Sequence, residues 1–292
     1  MCILLLFERL AFVIALRKAE FKDEIFSQFF WWAEMRSHWE VQKSVISALF
    51  LREAITRLSA GRFAWVWILL EPLAHVIFLM TMFGFVFHRI VNGVEGAMFI
   101  MTGLLGFVIA RNTAIRSAGA VSANAALFAY RQVLPVDTVL VRATLEGFLM
   151  LLSALALLAG AILAGFAVAP HDPLTVLAAF AGLWLCGLGL GLLLAVAMAL
   201  LPELGRLIKI AFIPLYFISG VMMPALAIPQ PYREWALRNP LMNGLELLRA
   251  GFFPQFHAAP QASLSFLYGC AMTLVLFGLA LHVRFAERMV AQ

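Results

Sequence analysis

The sequence predicts an all-α integral membrane protein with six transmembrane helices. Only 13% of the 292 residues are charged and 64% are hydrophobic, whereas about a quarter of the residues in soluble domains are charged. Six apolar segments each have the roughly 20 residues that a helix needs to cross the hydrocarbon core of a bilayer. They cover residues 64–87, 97–119, 143–168, 174–200, 207–228 and 264–283.

The distribution of basic residues predicts how these spans are oriented. Of the 21 Lys and Arg residues, 17 lie before the first span, in the second and fourth connections and the parts of the spans that adjoin them, or after the last span. Because segments rich in Lys and Arg stay in the cytoplasm, we expect both termini to be cytoplasmic. The net charge of +5 then reflects topology and contact with anionic lipid headgroups, and it does not indicate binding to nucleic acid.

An N-terminal amphipathic helix is predicted just before the first span, over residues 40–62. Its apolar positions include Val45 and Leu49, and its polar positions include Glu53 and Arg57. This pattern is typical of a helix that lies on the cytoplasmic surface of the membrane. We therefore expect an interfacial N-terminal region followed by a six-span transmembrane domain, over residues 1–62 and 63–292.

The first span contains an acid and a helix-breaking residue, Glu71 and Pro72. An ionisable group at such depth costs roughly 2.5–3.5 kcal/mol, so Glu71 is expected to face protein or water, or to brace helix ends near the interface. Pro72 leaves a backbone carbonyl unsatisfied and is expected to kink the helix. Glu71 is interpreted as the only deep acid of the spans, without an evident companion.

Two groups of polar and aromatic residues within the spans are candidates for a substrate pathway. They are Arg111, Asn112 and Arg116 in the second span and Tyr216, Phe217 and Ser219 in the fifth. Polar groups avoid lipid, so the first group is expected to face the bundle interior or a water-filled path, or to reach headgroups. The second group offers aromatic faces and hydroxyls that suit sugar rings, although aromatic residues in a span also serve as packing.

No catalytic motif is visible in the sequence. There is no G-x-x-x-x-G-K-[ST] stretch, no H-E-x-x-H pair and no G-x-S-x-G turn, and the six histidines are dispersed. The three cysteines suggest neither a disulfide framework nor a metal site. The run from Gly187 to Gly191 lies inside a span and is interpreted as helix packing, either within the chain or across a dimer. The sequence therefore predicts no enzyme activity, cofactor or metal in this chain.

Four stretches of the chain carry a family resemblance. In chain order they are LFLREAITRLSAGRFAWVWILLEPL, TGLLGF, VSANAALFAYRQVLPVD and RNPLMNGLELLRAGFF. They resemble the membrane subunits of ABC-2 class exporters, and in particular the capsular-polysaccharide export permease family. The resemblance covers about residues 49–288 and leaves the N-terminal extension unexplained.

The resemblance implies partners that the chain itself does not contain. It implies a homodimer around a central pathway and separate ABC ATPase subunits that bind ATP and Mg. Cytoplasmic elements are expected to dock on the ATPase through Asn124, Leu127, Tyr130 and Arg131 and through the turn at Pro202 and Glu203. In the family, stretches similar to residues 229–262 form short helices that re-enter the membrane at its outer face. The alternative for this chain is a periplasmic surface helix. A periplasmic adaptor and an outer-membrane channel are further implied partners.

The sequence thus predicts the permease subunit of a polysaccharide-exporting ABC transporter in the bacterial inner membrane. The cargo is expected to be an anionic capsular or related lipid-linked glycan. A related alternative is an ABC-2 exporter of small lipophilic compounds. A membrane-embedded transferase acting on lipid-linked sugars would need paired acids or a histidine at its active face, and a scaffold without transport leaves the polar residues of the spans unexplained.

Overall fold

Helices make up nearly all of the part of the chain that the computed structural model describes, namely residues 22–59, 64–83, 90–130, 132–166 and 168–290. In chain order the α-helices of these residues are α1 (Lys22–Leu58), α2 (Ala64–Thr81), α3 (Gly96–Ala118), α4 (Ala120–Ala123), α5 (Pro135–Leu163), α6 (Pro173–Leu200), α7 (Leu204–Ile218), α8 (Tyr232–Leu237), α9 (Pro240–Phe252) and α10 (Leu264–Val290). Two short 3₁₀ helices, Ala125–Ala129 and Ala225–Ala227, follow α4 and α7. Arg131 and the side chains of Glu71 and Pro72 lie outside the described residues.

Four helices of the described residues, α3, α5, α6 and α10, are long and apolar enough to cross a membrane. Helices α2 and α7 occupy the first and fifth predicted spans, with 18 and 15 residues. The predicted fifth span, which continues to Ile228, is too long. Helix α7 ends at Ile218 because the chain turns at Gly220, whose φ of 75° is in the left-handed region that favours glycine.

The described chain divides into two units, one before and one after the bond between Ala48 and Leu49. In the first unit, α1 continues its regular helix, and the Ser44 hydroxyl donates a hydrogen bond to the Glu40 carbonyl at 2.9 Å. The second unit contains the last ten residues of α1 together with all the other helices. The division falls before the predicted boundary at residue 62, because residues 49–58 pack onto the helix bundle.

Helix α6 lies at the centre of the second unit and packs against α3 on one side and α10 on the other. A Cβ atom added at Gly187 would lie 2.6 Å from the carbonyl oxygen of Ala110, and one at Gly191 would lie 2.8 Å from Cβ of Ser117. The absence of side chains at these two positions lets the backbones of α3 and α6 approach closely. The interpretation of this glycine run as packing within the chain is confirmed.

The starts of two central helices follow from local sequence. Helix α6 begins with Asp172 as its N-cap, and the carboxylate accepts hydrogen bonds from the backbone N–H groups of Leu174 and Thr175 at 3.1 and 3.2 Å. Helix α9 begins in the same way, since Asn239 accepts from the Leu241 N–H at 3.0 Å. In both helices the residue after the cap is proline, whose missing N–H is not needed there.

A short β-hairpin with a two-residue turn lies directly before α3. Strands β1 (Ile90–Val91) and β2 (Val94–Glu95) are antiparallel, with Val91 opposite Val94. The turn residues Asn92 and Gly93 both have positive φ, 51° and 82°, which is the conformation that an Asn-Gly pair favours between paired strands. This turn is visible in the sequence, and it places the start of α3 within one residue of the predicted second span.

The stretch predicted to re-enter the membrane, residues 229–262, forms α8 and α9. Ten of the thirteen residues of α9 are buried, and the helix packs against α3, α6 and α10. Helix α9 is therefore a packed element of the bundle. Its burial depends on the apolar residues Leu241, Leu245 and Leu248, which are spaced to lie on one face of the helix.

Candidate functional site

A cavity of about 650 Å³ opens between α2, α3 and α7. Its wall combines side chains from all three helices with Met222 from the segment after α7. The residues that line it are His75, Leu79, Leu104, Phe107, Arg111, Asn112, Ile115, Arg116, Lys209, Phe212, Ile213, Tyr216, Phe217 and Met222. A space of this size is within the range of pockets that hold small organic groups such as one or two sugar units.

The structure brings together five of the six residues predicted to form a substrate pathway. Arg111, Asn112 and Arg116 line the cavity from α3, and Tyr216 and Phe217 line it from α7. The sixth residue, Ser219, is not part of the wall. It is fully buried, and its hydroxyl accepts a hydrogen bond from the Asn239 amide at 3.1 Å, so it joins the end of α7 to the start of α9.

The polar part of the cavity wall is cationic. Arg111, Arg116 and Lys209 contribute guanidinium and ammonium groups, and no Asp or Glu is among the described lining residues. The Asn112 amide oxygen accepts a hydrogen bond from Arg111 Nε at 3.3 Å, which fixes one edge of that guanidinium. Because electrostatic attraction is stronger away from bulk water, this wall attracts anionic groups such as carboxylates and phosphates.

The aromatic part of the wall surrounds Tyr216. The Tyr216 ring makes edge-to-face contacts with Phe107 and Phe217, with centroid distances of 5.2 and 5.3 Å. Phe217 is 59% exposed, so part of an aromatic face is free to touch another molecule. Among the described residues, the buried Tyr216 hydroxyl has no hydrogen-bond partner. This wall can therefore offer a flat apolar surface together with a hydroxyl.

A buried carboxylate that the sequence analysis missed lies beside the cavity. Glu146 is 1% exposed, and its two carboxylate oxygens each bind a different arginine. Oε2 lies 2.6 Å from Nη1 of Arg57 in α1, and Oε1 lies 3.1 Å from Nε of Arg116 in α3. Glu146 is the fourth residue of the predicted third span, and the sequence analysis did not single it out.

Further ion pairs extend from Glu146 along α1. Arg57 Nε lies 3.5 Å from Glu53 Oε1, one turn earlier in the helix. The Glu53 carboxylate in turn binds Arg142 of α5 through two hydrogen bonds of 2.8 and 3.2 Å. We call these five residues, Arg142, Glu53, Arg57, Glu146 and Arg116, the ion-pair network.

The network holds the polar side of the end of α1 against the bundle. Glu53 and Arg57, which the sequence analysis counted among the polar positions of this helix, both bind residues of α5. The apolar residues Leu51, Ile55 and Leu58 are 47–61% exposed. Arg57 turns toward the bundle because the buried Glu146 carboxylate needs a cation.

A signal for the network was present in the sequence. Glu53 and Arg57 are four residues apart, as are Arg142 and Glu146. Each pair therefore lies on one helix face, which places two opposite charges one turn apart. What the sequence does not show is that the two helices lie side by side with these faces in contact.

The residues predicted to couple to an ATPase fall into two groups. Asn124 is buried, donates to the Ala120 carbonyl at 2.8 Å and accepts from Arg52 Nη2 at 3.0 Å. It therefore holds the segment after α3 to the end of α1 and does not present its side chain outward. Tyr130 is 67% exposed and Leu127 is partly buried. At the second predicted turn, Pro202 and Glu203 are exposed.

Two buried charged residues of α9 bind the segment that follows the C-terminal end of α7. Glu246 accepts hydrogen bonds from the backbone N–H groups of Ala225 and Ala259 at 3.0 and 3.1 Å. Arg249 donates to the carbonyls of Gly220 and Val221 at 2.9 and 2.8 Å. The segment that follows the cavity-lining helix is thus fixed through its backbone to α9.

Arg249 also explains why α3 has a glycine at position 103. Its guanidinium carbon lies 3.6 Å from the centroid of the Phe99 ring, as in a cation–π contact. A Cβ atom at Gly103, one turn after Phe99, would overlap with the guanidinium and would lie 2.9 Å from the Val221 carbonyl oxygen. The first glycine of the stretch TGLLGF is therefore required by this buried arginine.

Comparison with known families matches most of the chain. A family model described as ABC-2 type transporter matches residues 44–253. This range begins within α1 and ends at the residue after α9. It includes the cavity, the ion-pair network and both segments predicted to contact an ATPase.

Characterised proteins are similar over nearly their whole length. The polysialic acid transport protein KpsM of Escherichia coli is 35% identical over 247 residues, which is 85% of this chain and 95% of that protein. The capsule polysaccharide export inner-membrane protein CtrC of Neisseria meningitidis serogroup B is 28% identical over 254 residues, 86% of this chain and 96% of that protein. The corresponding protein BexB of Haemophilus influenzae is 28% identical over 247 residues, 85% of this chain and 93% of that protein.

Proposed function

This chain belongs to the ABC-2 type transporter family, and we propose that it forms the transmembrane conduit of an ATP-driven exporter that moves a polysaccharide across the bacterial inner membrane. It is a transport subunit and not an enzyme, and ATP is hydrolysed by a separate ABC ATPase chain. The relatives KpsM, CtrC and BexB are named for the transport of polysialic acid or the export of capsule polysaccharide.

The observation that carries the proposal is the composition of the cavity wall. Three cationic side chains, Arg111, Arg116 and Lys209, lie in the same cavity as the aromatic residues Tyr216 and Phe217. Cations bind the carboxylates or phosphates of an anionic glycan, and aromatic faces contact the apolar faces of sugar rings. Such contacts are individually weak, which suits a cargo that has to move past them. We therefore assign these residues, with Asn112, to the glycan pathway.

For the topology we propose six spans with both termini in the cytoplasm. Helices α2 and α7 then serve as the first and fifth spans beside the four longer helices. This orientation places the ion-pair network at the cytoplasmic end of the bundle, where Lys and Arg are expected. It places α8 and α9 at the outer face, where the stretch over residues 229–262 re-enters the membrane and narrows the exit.

For the assembly we propose two copies of this chain and two ATPase subunits, with ATP and Mg bound by the ATPase. Tyr130 and Leu127 after α4, and Pro202 and Glu203 before α7, are the residues proposed to meet the ATPase. The proposal is supported by the exposure of Tyr130, Pro202 and Glu203. A periplasmic adaptor and an outer-membrane channel would carry the glycan onward from the exit.

Deletion of the gene from its native bacterium, followed by complementation, tests the proposed function. We expect loss of anionic glycan from the cell surface, measured by electron microscopy with cationic ferritin, together with accumulation of glycan in the cytoplasm. The Arg111→Gln variant should restore roughly tenfold less surface glycan than wild type, since a hydrogen bond to a charged group contributes about 1.5–3 kcal/mol.

The matched control is Arg206→Gln, because Arg206 is exposed and is not part of the cavity wall. It should restore surface glycan to the wild-type amount. Unchanged surface glycan in the deletion strain would overturn the proposal. If that strain instead became sensitive to lipophilic toxic compounds, export of small lipophilic molecules would replace polysaccharide export as the proposed function.

A further inference from the structure

We propose that Glu146 competes with the cargo for Arg116. Through this competition, binding of cargo in the cavity changes the ion pairs that fix the end of α1. The inference rests on the proposed function, because it requires an anionic cargo in the cavity. It concerns a residue that does not line the cavity and acts on the cargo only through Arg116. Glu146 is thus a positioning residue for the transport step.

The first step of the argument is the position of Arg116 between two environments. Its side chain is 42% exposed and lines the cavity, yet its Nε lies 3.1 Å from Glu146 Oε1, which is buried. A guanidinium has five N–H donors in a planar fork, so one arginine can bind more than one acceptor. An anionic group in the cavity therefore meets a guanidinium that is already shared with a carboxylate.

The second step is that cargo and Glu146 are chemically equivalent acceptors. The carboxylate or phosphate of an anionic glycan forms the same charge-assisted hydrogen bonds to arginine as Glu146 does. As cargo approaches Arg116, the two anions repel each other and compete for the same cation. The Arg116–Glu146 pair is therefore weakened when the cavity is occupied and restored when it is empty.

The third step is that Glu146 stays paired when Arg116 is withdrawn. Its other oxygen, Oε2, lies 2.6 Å from Arg57 Nη1. Leaving a buried charge without any partner costs several kcal/mol, but here the second arginine keeps that cost low. The carboxylate therefore has two stable arrangements, one shared between Arg57 and Arg116 and one held by Arg57 alone.

The fourth step connects Glu146 to the surface that faces the ATPase. Arg57 belongs to the end of α1, where Glu53 is bound to Arg142 and Arg52 is bound to the buried Asn124. Asn124 begins the segment that leads to the exposed Tyr130. A change in the Glu146–Arg57 ion pair therefore affects residues 49–58 of α1, and the same residues fix the segment that begins at Asn124.

Thermodynamic linkage makes the proposal testable. If an anion in the cavity weakens the Arg116–Glu146 pair, removing the pair must strengthen the binding of the anion by the same factor. Glu146→Gln is therefore expected to bind an anionic probe more tightly than wild type and to respond to it less. A residue with a merely structural role would change the binding of the probe in the opposite direction, because a distorted cavity binds more weakly.

The experiment uses the full complex of this chain and its ATPase in lipid nanodiscs. The probes are a hexamer of sialic acid, which is anionic, and maltohexaose, which is neutral. Binding is measured by isothermal titration calorimetry, and ATP hydrolysis is measured with and without each probe. For Glu146→Gln we expect the dissociation constant of the sialic acid hexamer to fall at least about fivefold, and the stimulation of ATP hydrolysis by that probe to fall to a ratio near one.

Two further variants complete the test. Glu234→Gln removes one acidic charge from the exposed part of α8 and should behave as wild type in both assays. Glu146→Asp shortens the side chain by one methylene and keeps the charge, so it is the variant to use if Glu146→Gln does not assemble. It should shift both quantities in the same direction as Glu146→Gln.

The outcomes separate the two proposals. If the wild-type complex binds neither probe and shows no stimulation, the proposed function and this inference both fail. If the wild-type complex responds to the sialic acid hexamer and the Glu146 variants respond with the same affinity and the same stimulation, only the inference fails. Weaker binding by the Glu146 variants would also overturn it.

Discussion

The guanidinium of Arg57 and the carboxylate of Glu146 lie 2.6 Å apart although 89 residues separate them in the chain. Both side chains are largely buried, with 14% and 1% of their surfaces exposed. The pair fastens the end of α1 to α5, beside the cavity that α2, α3 and α7 enclose. The end of the helix that precedes the first predicted span is therefore attached to the bundle by ion pairs.

Arg57→Gln is predicted to loosen the end of α1 and to lower the stability of the protein. The variant removes one of two cations from a buried carboxylate, and a hydrogen bond to a charged group contributes about 1.5–3 kcal/mol. The midpoint of thermal unfolding in detergent, followed by tryptophan fluorescence, measures the loss. Arg206→Gln, which removes an exposed arginine, is the control. Equal midpoints for the two variants would show that the pair does not stabilise the fold.

Gly103→Ala is predicted to destabilise the protein, since the new methyl group would overlap with the Arg249 guanidinium. Inserting a methyl group into a filled interior costs about 1–3 kcal/mol. Gly160→Ala in α5 is the matched control, because a Cβ there meets nothing within 4 Å and alanine favours a helix by roughly 0.5–1 kcal/mol over glycine. Thermal unfolding should rank Gly160→Ala at or above wild type and Gly103→Ala below it. The reverse order would contradict the close packing of α3 against Arg249.

Tyr216→Phe is predicted to lower export without lowering stability. The Tyr216 hydroxyl is buried without a hydrogen-bond partner among the described residues, so its removal leaves no bond broken in the empty protein. Complementation of a deletion strain measures export, and thermal unfolding measures stability. Tyr268→Phe is the control with the opposite pattern, because the Tyr268 hydroxyl donates to the Ala178 carbonyl at 2.9 Å. Its loss should cost about 1 kcal/mol of stability and leave export unchanged.

Tyr130→Ala is predicted to weaken binding of the ATPase while leaving the membrane subunit folded. Tyr130 is 67% exposed in the isolated chain, and substitutions at exposed positions usually change stability by less than about 0.5 kcal/mol. Surface plasmon resonance with the immobilised membrane subunit measures the affinity. Tyr232→Ala is a closely matched control, since Tyr232 is 69% exposed and lies in α8. Equal affinities for the two variants would remove Tyr130 from the docking surface.

The stability contributed by Asp172 is predicted to disappear in acid. The Thr175 hydroxyl, 2.6 Å from the carboxylate, and the backbone N–H groups of Thr175 and Leu174 lower the pKa of Asp172 below its ordinary value. A lowered pKa in the folded state means that the contribution is present above the unfolded-state pKa of about 3.9 and is lost as the pH falls through the lower folded value. Asp172→Asn retains an acceptor for the cap but does not titrate.

Thermal unfolding of wild type and Asp172→Asn across the pH range from about 7 to about 3 checks this prediction. The difference between the two midpoints should shrink toward the acidic end of the range. A difference that stays constant with pH would show that the cap of α6 does not depend on the charge of Asp172.

Several features of the fold were predictable because their signals are local. The apolar segments at residues 97–119 and 174–200 match α3 and α6 to within one residue, since hydrophobic length is a property of one continuous stretch. The four-residue spacing of Gly187 and Gly191 likewise predicted a close helix contact. The end of α7 was predicted ten residues late because residues 219–228 are as apolar as a span, although the chain turns there to reach α9.

The candidate site was only partly predictable. The residues of the cavity wall in α3 and α7 were identified from their polarity and aromatic character within spans. Glu146 was missed, because a single acid near the start of an apolar segment looks like an interfacial residue. His75 and Lys209 were missed because nothing in the local sequence shows that they face the same space as Arg111 and Tyr216.

The sequence by itself determined that this protein is a helical membrane protein of the ABC-2 type, since composition, apolar length and the family motifs are properties of continuous stretches. Only the tertiary structure decided which charges meet. Arg57, Glu146 and Arg116 come from three helices that are far apart in the chain, and their pairing depends on how those helices pack side by side. Because the donors that stabilise the buried Glu146 carboxylate are arginines of two other helices, that packing decided which face of α1 turns toward the bundle and which arginine the cavity shares with Glu146.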